Sequence, residues 1–172
     1  MKKLLLFLFI SSFFFSIYSQ NQKEKTSEIT TSYYLIRHSE KDTSNPSDKN
    51  PNLSEIGIQR AESWVTILKE IKFDAIYSTN YNRTNQTAKP IADSNQLEII
   101  QYNLSTFDFD VFKASTNGKT ILVVGHSNTT PSFANSFIGE NEYAQIEESN
   151  YSNLYILTVT GDIVTHSLLK IN

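Results

Sequence analysis

The chain has 172 residues, no cysteine and a formal charge of -3, with 39% hydrophobic and 19% charged residues. An acidic chain without a Lys/Arg cluster lacks the electrostatic footprint of a nucleic-acid binder, because phosphate-backbone affinity needs several cations on one face. The absence of cysteine excludes a disulfide scaffold and a lipid anchor on an N-terminal cysteine, so stability rests on one packed core of ordinary domain size.

Lys2 and Lys3 precede an apolar run from Leu4 to Ile17, broken only by serines and followed by Tyr18-Ser19. This pattern predicts a secretory signal peptide over 1–20, because the run falls short of the roughly 20 residues that span a bilayer. Residues 21–32 are polar and aperiodic and read as a flexible lead, leaving 33–172 as the folded domain. The membrane is then met only transiently, through the leader.

Tyr33 to Arg37 predicts a first strand, and Ser39 to Asn52, rich in Asn, Asp, Ser and Pro, a loop. Ser54 is a good N-cap for a helix whose apolar residues Ile58, Ala61, Val65 and Leu68 recur at three and four, widened by Trp64, Ile67 and Ile71. Phe73 to Tyr77 predicts a second strand, and Ser78-Thr79-Asn80 leads into a polar helix carrying Arg83, Thr87 and Ala88 before Pro90. Leu97 to Ile100 predicts a third strand. Phe107, Phe109 and Phe112 suit either core or a substrate-facing wall. The run Thr120 to Val124 reads as a strand covered on both faces, followed by a helix over Thr129 to Ile138 with Pro131 in its first turn. Leu154 to Val159 and Ile163 to Leu168 form a terminal hairpin. Strands alternating with helices predict an α/β fold, a three-layer α/β/α sandwich with a mostly parallel sheet.

Two strands end in histidine: Arg37-His38 closes the first, and Gly125-His126 closes another 88 residues later. In an open α/β sheet the crevice beyond the carboxyl ends of the strands binds ligand, so neighbouring strands would bring both imidazoles into one site. Arg83 adds a second guanidinium. Two planar donor forks and two imidazoles suit a multiply charged oxyanion, a phosphoryl group above all. Asn128, at the predicted start of a helix, adds a donor beside that helix's free N–H groups.

The segments Leu35-Ile36-Arg37-His38-Ser39-Glu40, Leu53-Ser54-Glu55-Ile56-Gly57, Tyr77 to Ala88 and Gly125-His126-Ser127-Asn128 occur in the order and context of the histidine phosphatase superfamily, which the chain resembles. The resemblance implies the phosphoglycerate mutase-like fold, His38 as a nucleophile that takes up the phosphoryl group, and Arg37, Arg83 and His126 as the rest of the phosphate pocket. It implies no cofactor. With three histidines, no cysteine and no His-Glu-x-x-His, a metal site is not expected.

The ring of His38 should present one nitrogen to phosphorus and donate the other to a fixed acceptor such as a backbone carbonyl. For the proton that the leaving oxygen needs, Asp108 and Glu40 are the candidate acids. Ser39 stands where the family's familiar pattern has glycine. The short domain leaves little room for the insertions that enclose a bisphosphate, so hydrolysis of small phosphomonoesters or of a phosphoprotein is expected. A binding module without turnover and a phosphoryl transferase or mutase are the alternatives. His166 reads as structural. Asn82-Arg83-Thr84 and Asn128-Thr129-Thr130 match the glycan acceptor pattern beside the proposed site, which favours export to a bacterial periplasm or medium.

Overall fold

A computed structural model describes residues 29–171. The leader at 1–20 and residues 21–28 of the lead lie outside the described residues. The strands are β1 (Thr30–Arg37), β2 (Ala75–Thr79), β3 (Ile99–Tyr102), β4 (Thr120–Gly125), β5 (Asn153–Thr160) and β6 (Ile163–Lys170). The helices are α1 (Glu55–Ile67), α2 (Asn82–Asn95), α3 (Phe109–Thr116) and α4 (Thr129–Ile138). The six strands form one sheet in the order β3-β2-β4-β1-β5-β6. Parallel pairing joins β1 to β4, β4 to β2 and β2 to β3, while β5 runs antiparallel to both β1 and β6.

Strand alternation splits the core into two layers. Tyr33, Leu35, Ile121, Val123, Tyr155 and Leu157 pack against Phe112 of α3 and Phe133 and Phe137 of α4. Ile36, Ile76, Leu122, Val124 and Leu154 face Trp64 of α1 and Ala88, Ile91 and Ala92 of α2. The chain steps one way across the sheet through β1, β2 and β3 and returns to β4. Parallel crossovers are right-handed, so the reversal sends α3 to the face opposite α1 and α2. The three-layer α/β/α sandwich with a mostly parallel sheet follows.

Several boundaries differ from the sequence reading. β1 starts at Thr30, because Thr30–Ser32 pair with Thr158–Thr160 of β5 and take strand structure from a partner distant in the chain. The buried stripe of α1 is Gly57, Ala61 and Trp64 with Leu68 at its cap, whereas Ile58 and Ile67 are exposed. α2 continues through Pro90 to Asn95, since Thr87, Ala88, Ile91 and Ala92 are all buried against the sheet and their packing outweighs the one N–H that proline lacks. α3 was not foreseen. Asp108 caps it, its Oδ1 accepting from the N–H groups of Asp110 and Val111. Phe112 is buried in the core and Phe107 and Phe109 pack partly buried against it, in an aromatic cluster where the Phe107 ring lies 5.0 Å from Phe112 and 5.4 Å from Phe133. His166 accepts or donates at Nδ1 to the Tyr143 hydroxyl at 2.8 Å, away from the sites described below.

One contact ties α1 to the end of β1. The Glu40 carbonyl accepts from Ser54 N–H at 2.9 Å, and a Cβ on Gly57 would lie 2.0 Å from that same oxygen. Only glycine lets the helix's first turn approach so closely, and the backbone it approaches is two residues from His38. Gly57→Ala is therefore expected to cost about 1–3 kcal/mol of stability, as overpacking generally does, and to lower the thermal midpoint measured by circular dichroism.

Candidate active site

Parallel pairing places Arg37 of β1 opposite Gly125 of β4, and His38 N–H donates to the Gly125 carbonyl at 2.9 Å. Both chain segments then leave the sheet on the same edge. The His38 and His126 rings come within 5.4 Å, nearly edge-to-face at 68°. β2 lies on the other side of β4, and its end delivers Thr79 and, in the first turn of α2, Arg83. Arg37, His38, Arg83, His126 and Asn128 all line one cavity of about 600 Å³, together with Lys41, Thr79, Tyr81, Ser127 and Glu148.

His38 is buried, and its Nδ1 lies 2.7 Å from the Ser39 carbonyl oxygen. A carbonyl only accepts, so Nδ1 carries the proton and Nε2 keeps its lone pair. Burial, with the nearby cations, lowers the pKa of this ring from 6.5 to about 3. Ser39, at the position where glycine was the familiar pattern, is fully buried and donates its N–H to Thr87 Oγ1 at 2.9 Å. Its hydroxyl is buried without a hydrogen-bond partner.

His126 takes the opposite tautomer. Arg83 donates to its Nδ1 at 3.3 Å, so Nε2 holds the proton and donates to Thr79 Oγ1 at 2.9 Å. Thr79 passes its own hydroxyl proton toward Thr84, which donates to the Thr79 carbonyl at 2.7 Å. This hydroxyl chain fixes the ring. Burial first, then Arg83 and Arg37, lowers the pKa of His126 to about 4. Arg83 itself lies over the Tyr81 ring at 4.6 Å, and its Nε is buried without an acceptor.

Arg37 is 2% exposed. Its Nη1 donates to the carbonyls of Glu147, Glu148 and Asn150 at 2.9–3.0 Å, its Nη2 donates to Glu148 Oε2 at 3.0 Å, and its face rests on Tyr151 at 4.2 Å. Nε is buried without an acceptor. The segment after α4 is thus folded around a guanidinium at the end of β1. Glu148 was missed from sequence because it lies outside regular structure, 21 residues after its second partner, Ser127, whose Oγ donates to Oε1 at 2.9 Å. That bond, then Arg37, holds the Glu148 carboxyl below the usual carboxylate range. Thr79, Tyr81 and Lys41 were also missed; the first two adjoin Arg83 in the strand-to-helix connection, which was the one signal available.

The two acid candidates do not reach the cavity. Glu40 grips Arg60, with Nε donating to Oε1 and Oε2 at 2.8 and 2.9 Å. Asp108 is spent on capping α3 and lies exposed beside Phe107 and Val111. Both are carboxylates recruited by nearby donors on their own side of the fold, which corrects the expectation that one of them faces the leaving oxygen. Asn128 lines the cavity at the N-terminus of α4 and makes no capping bond there.

Both rings titrate below the unfolded value of 6.5, so on acidification the unfolded chain takes up protons first. Stability present above pH 6.5 is therefore expected to fall as the pH drops toward 4. Imidazole ¹⁵N shifts should show both rings still neutral at pH 6, and a ring found protonated there would contradict the arrangement.

A family model described as histidine phosphatase superfamily (branch 1) matches residues 33–105. No curated protein matches the chain. Among solved structures, phosphoglycerate mutase from Bacillus anthracis superposes with a TM-score of 0.63 at 16% identity, covering 85% of this chain and 95% of its own. The alpha-ribazole phosphatase from Shigella flexneri gives 0.60 at 15% identity, covering 82% and 98%. A phosphoserine phosphatase from Entamoeba histolytica, in complex with phosphoserine, gives 0.61 at 16% identity, covering 80% and 96%. Three of the four motifs lie inside the matched region, which is similar to the histidine phosphatase superfamily, and the sheet, helices and crevice are those of the phosphoglycerate mutase-like fold.

Proposed function

We propose that the protein is an exported, metal-independent phosphatase that hydrolyses phosphomonoesters through a phosphohistidine at His38. The observation that carries the reading is the His38 ring: its Nδ1–H is committed to the Ser39 carbonyl, which leaves a neutral Nε2 in a cavity lined by Arg37 and Arg83. A neutral imidazole attacks phosphorus without first losing a proton, and the low pKa keeps it neutral at physiological pH.

In the first step the Nε2 lone pair forms the N–P bond as the ester P–O bond breaks and the alcohol oxygen leaves with the bonding pair. Charge on the equatorial oxygens is met by guanidinium donors, including the Nε–H groups of Arg37 and Arg83, which have no acceptor within the protein. In the second step water attacks phosphorus, the N–P bond breaks, and His38 regains its lone pair as inorganic phosphate departs. His126 stands against His38 as a second neutral ring, held by Thr79 and Arg83. With Glu40 and Asp108 engaged elsewhere, the reading favours phenol-type leaving groups, which depart with little protonation. Export rests on the leader pattern, and a bacterial source on the acceptor asparagines: Asn128 lines the cavity, and a glycan there would fill it.

Phosphate release from aryl phosphomonoesters, measured with chelator present, is expected to persist in the native protein and to fall at least about 10³-fold in His38→Ala, as loss of a covalent nucleophile does elsewhere. Turnover by the variant would show another nucleophile. Activity lost to chelator and restored by added metal would remove metal independence. Tight vanadate binding without release from any ester would leave a binding module.

A further inference from the structure

Among the cavity-lining residues Arg37, Lys41 and Arg83 are cations, and Glu148 is the one carboxylate. It is fixed in place. Oε2 takes Arg37 Nη2 at 3.0 Å and Oε1 takes the Ser127 hydroxyl at 2.9 Å, while its backbone carbonyl is one of three that hold Arg37 Nη1. Ile146 N–H donates to the Ser127 carbonyl at 2.9 Å and anchors the segment's other end. Yet the Glu148 side chain remains 68% exposed.

We infer that Glu148 is a charge filter for the alcohol portion of the substrate: it admits phosphomonoesters whose organic part is neutral or cationic and disfavours those with a second anionic group. The inference rests on the phosphatase reading above. Three cations and one carboxylate, with both imidazoles neutral, leave the cavity matched in charge to a single phosphomonoester dianion. A further carboxylate or phosphate on the substrate has no unbalanced cation to meet and one fixed anion to avoid. A cavity of this volume is on the order of 10 Å across, about the Debye length, so a group anywhere in it feels that charge.

Glu148 supplies the acceptor for Arg37 Nη2, but a structural role alone leaves its exposed position on the cavity unexplained, since three backbone carbonyls already hold Nη1 and an ion pair whose acid is mostly exposed contributes little to folding. Its bridge to Ser127, itself a cavity residue, holds the carboxylate against the cavity wall. Lys41 is the neighbouring charge of opposite sign on the same cavity, and it is present for every substrate alike.

The test is kcat/KM of the purified protein for phenyl phosphate, 4-carboxyphenyl phosphate and 4-(aminomethyl)phenyl phosphate, which share a phenolic leaving oxygen and differ in the charge of the organic part. Ratios within the series cancel any general effect on Arg37. The native protein is expected to use the carboxylated ester about tenfold less well than phenyl phosphate, the scale of one screened charge pair, and the aminomethyl ester at least as well. Glu148→Gln should bring the ratios toward one, and Glu148→Asp, which keeps the charge, should retain them. Equal use of all three esters by the native protein overturns the inference whatever the variants do, as does discrimination undiminished in Glu148→Gln. Either result leaves the phosphatase reading standing. That reading fails, and the inference with it, if the native protein releases phosphate from none of the three.

Discussion

A guanidinium that is 2% exposed has to be solvated by the protein itself, and much of the site is arranged around this need at Arg37. Burying an unpaired charge costs far more than a typical domain's stability allows. Arg37 sits at the last position of β1, in step with the core residues Tyr33 and Leu35, so it cannot reach solvent without leaving the sheet. The chain after α4 supplies what water would have: three carbonyls, one carboxylate and the face of Tyr151. A segment with no regular secondary structure is thereby given a defined path along the cavity, and with it Glu148 is given a defined place.

Burial first, and the same cationic surroundings after it, decide the state of the histidines. In a pocket holding two guanidiniums and a lysine, protonating either ring adds a like charge in a partly dehydrated space, and both pKa values fall. Hydrogen bonding then selects the tautomers, a carbonyl fixing Nδ1–H on His38 and an arginine fixing the lone pair at Nδ1 of His126. Two identical side chains 5.4 Å apart come to present opposite nitrogens because the acceptor beside one is backbone and the donor beside the other is Arg83.

Connections elsewhere hold this edge of the sheet still. The loop after His38 is pinned to the start of α2, where Asn82 exchanges hydrogen bonds with Asn50 and Asn52, and Gln86 Oε1 accepts from Leu53 N–H at 2.7 Å. Glu40 and Arg60 close the other side against α1. These polar contacts explain why a segment so rich in Asn, Asp and Ser takes one conformation beside the cavity. They also explain why Glu40, although two residues from His38, serves the scaffold.

By itself the sequence determined the layers of the fold and the four charged or imidazole residues at the centre of the site, because these are local signals: apolar runs that end in Arg37-His38 and Gly125-His126, and an arginine in the first turn of a helix. A strand covered on both faces is legible as an uninterrupted run, and the crevice beyond such strands is a general property of parallel sheets. Tertiary structure decided what depends on partners distant in the chain. β5 extends β1 back to Thr30, burial against the sheet carries α2 past Pro90 and rotates the face of α1 onto Gly57 and Trp64, and α3 forms where a short aromatic segment meets Phe133 and Phe137. The carboxylates show the difference most plainly. Glu40 and Asp108 stood near the motifs in sequence but met Arg60 and a helix N-terminus first, whereas Glu148 reached Arg37 from 111 residues away because a buried charge draws the nearest free acceptors in space, not in sequence.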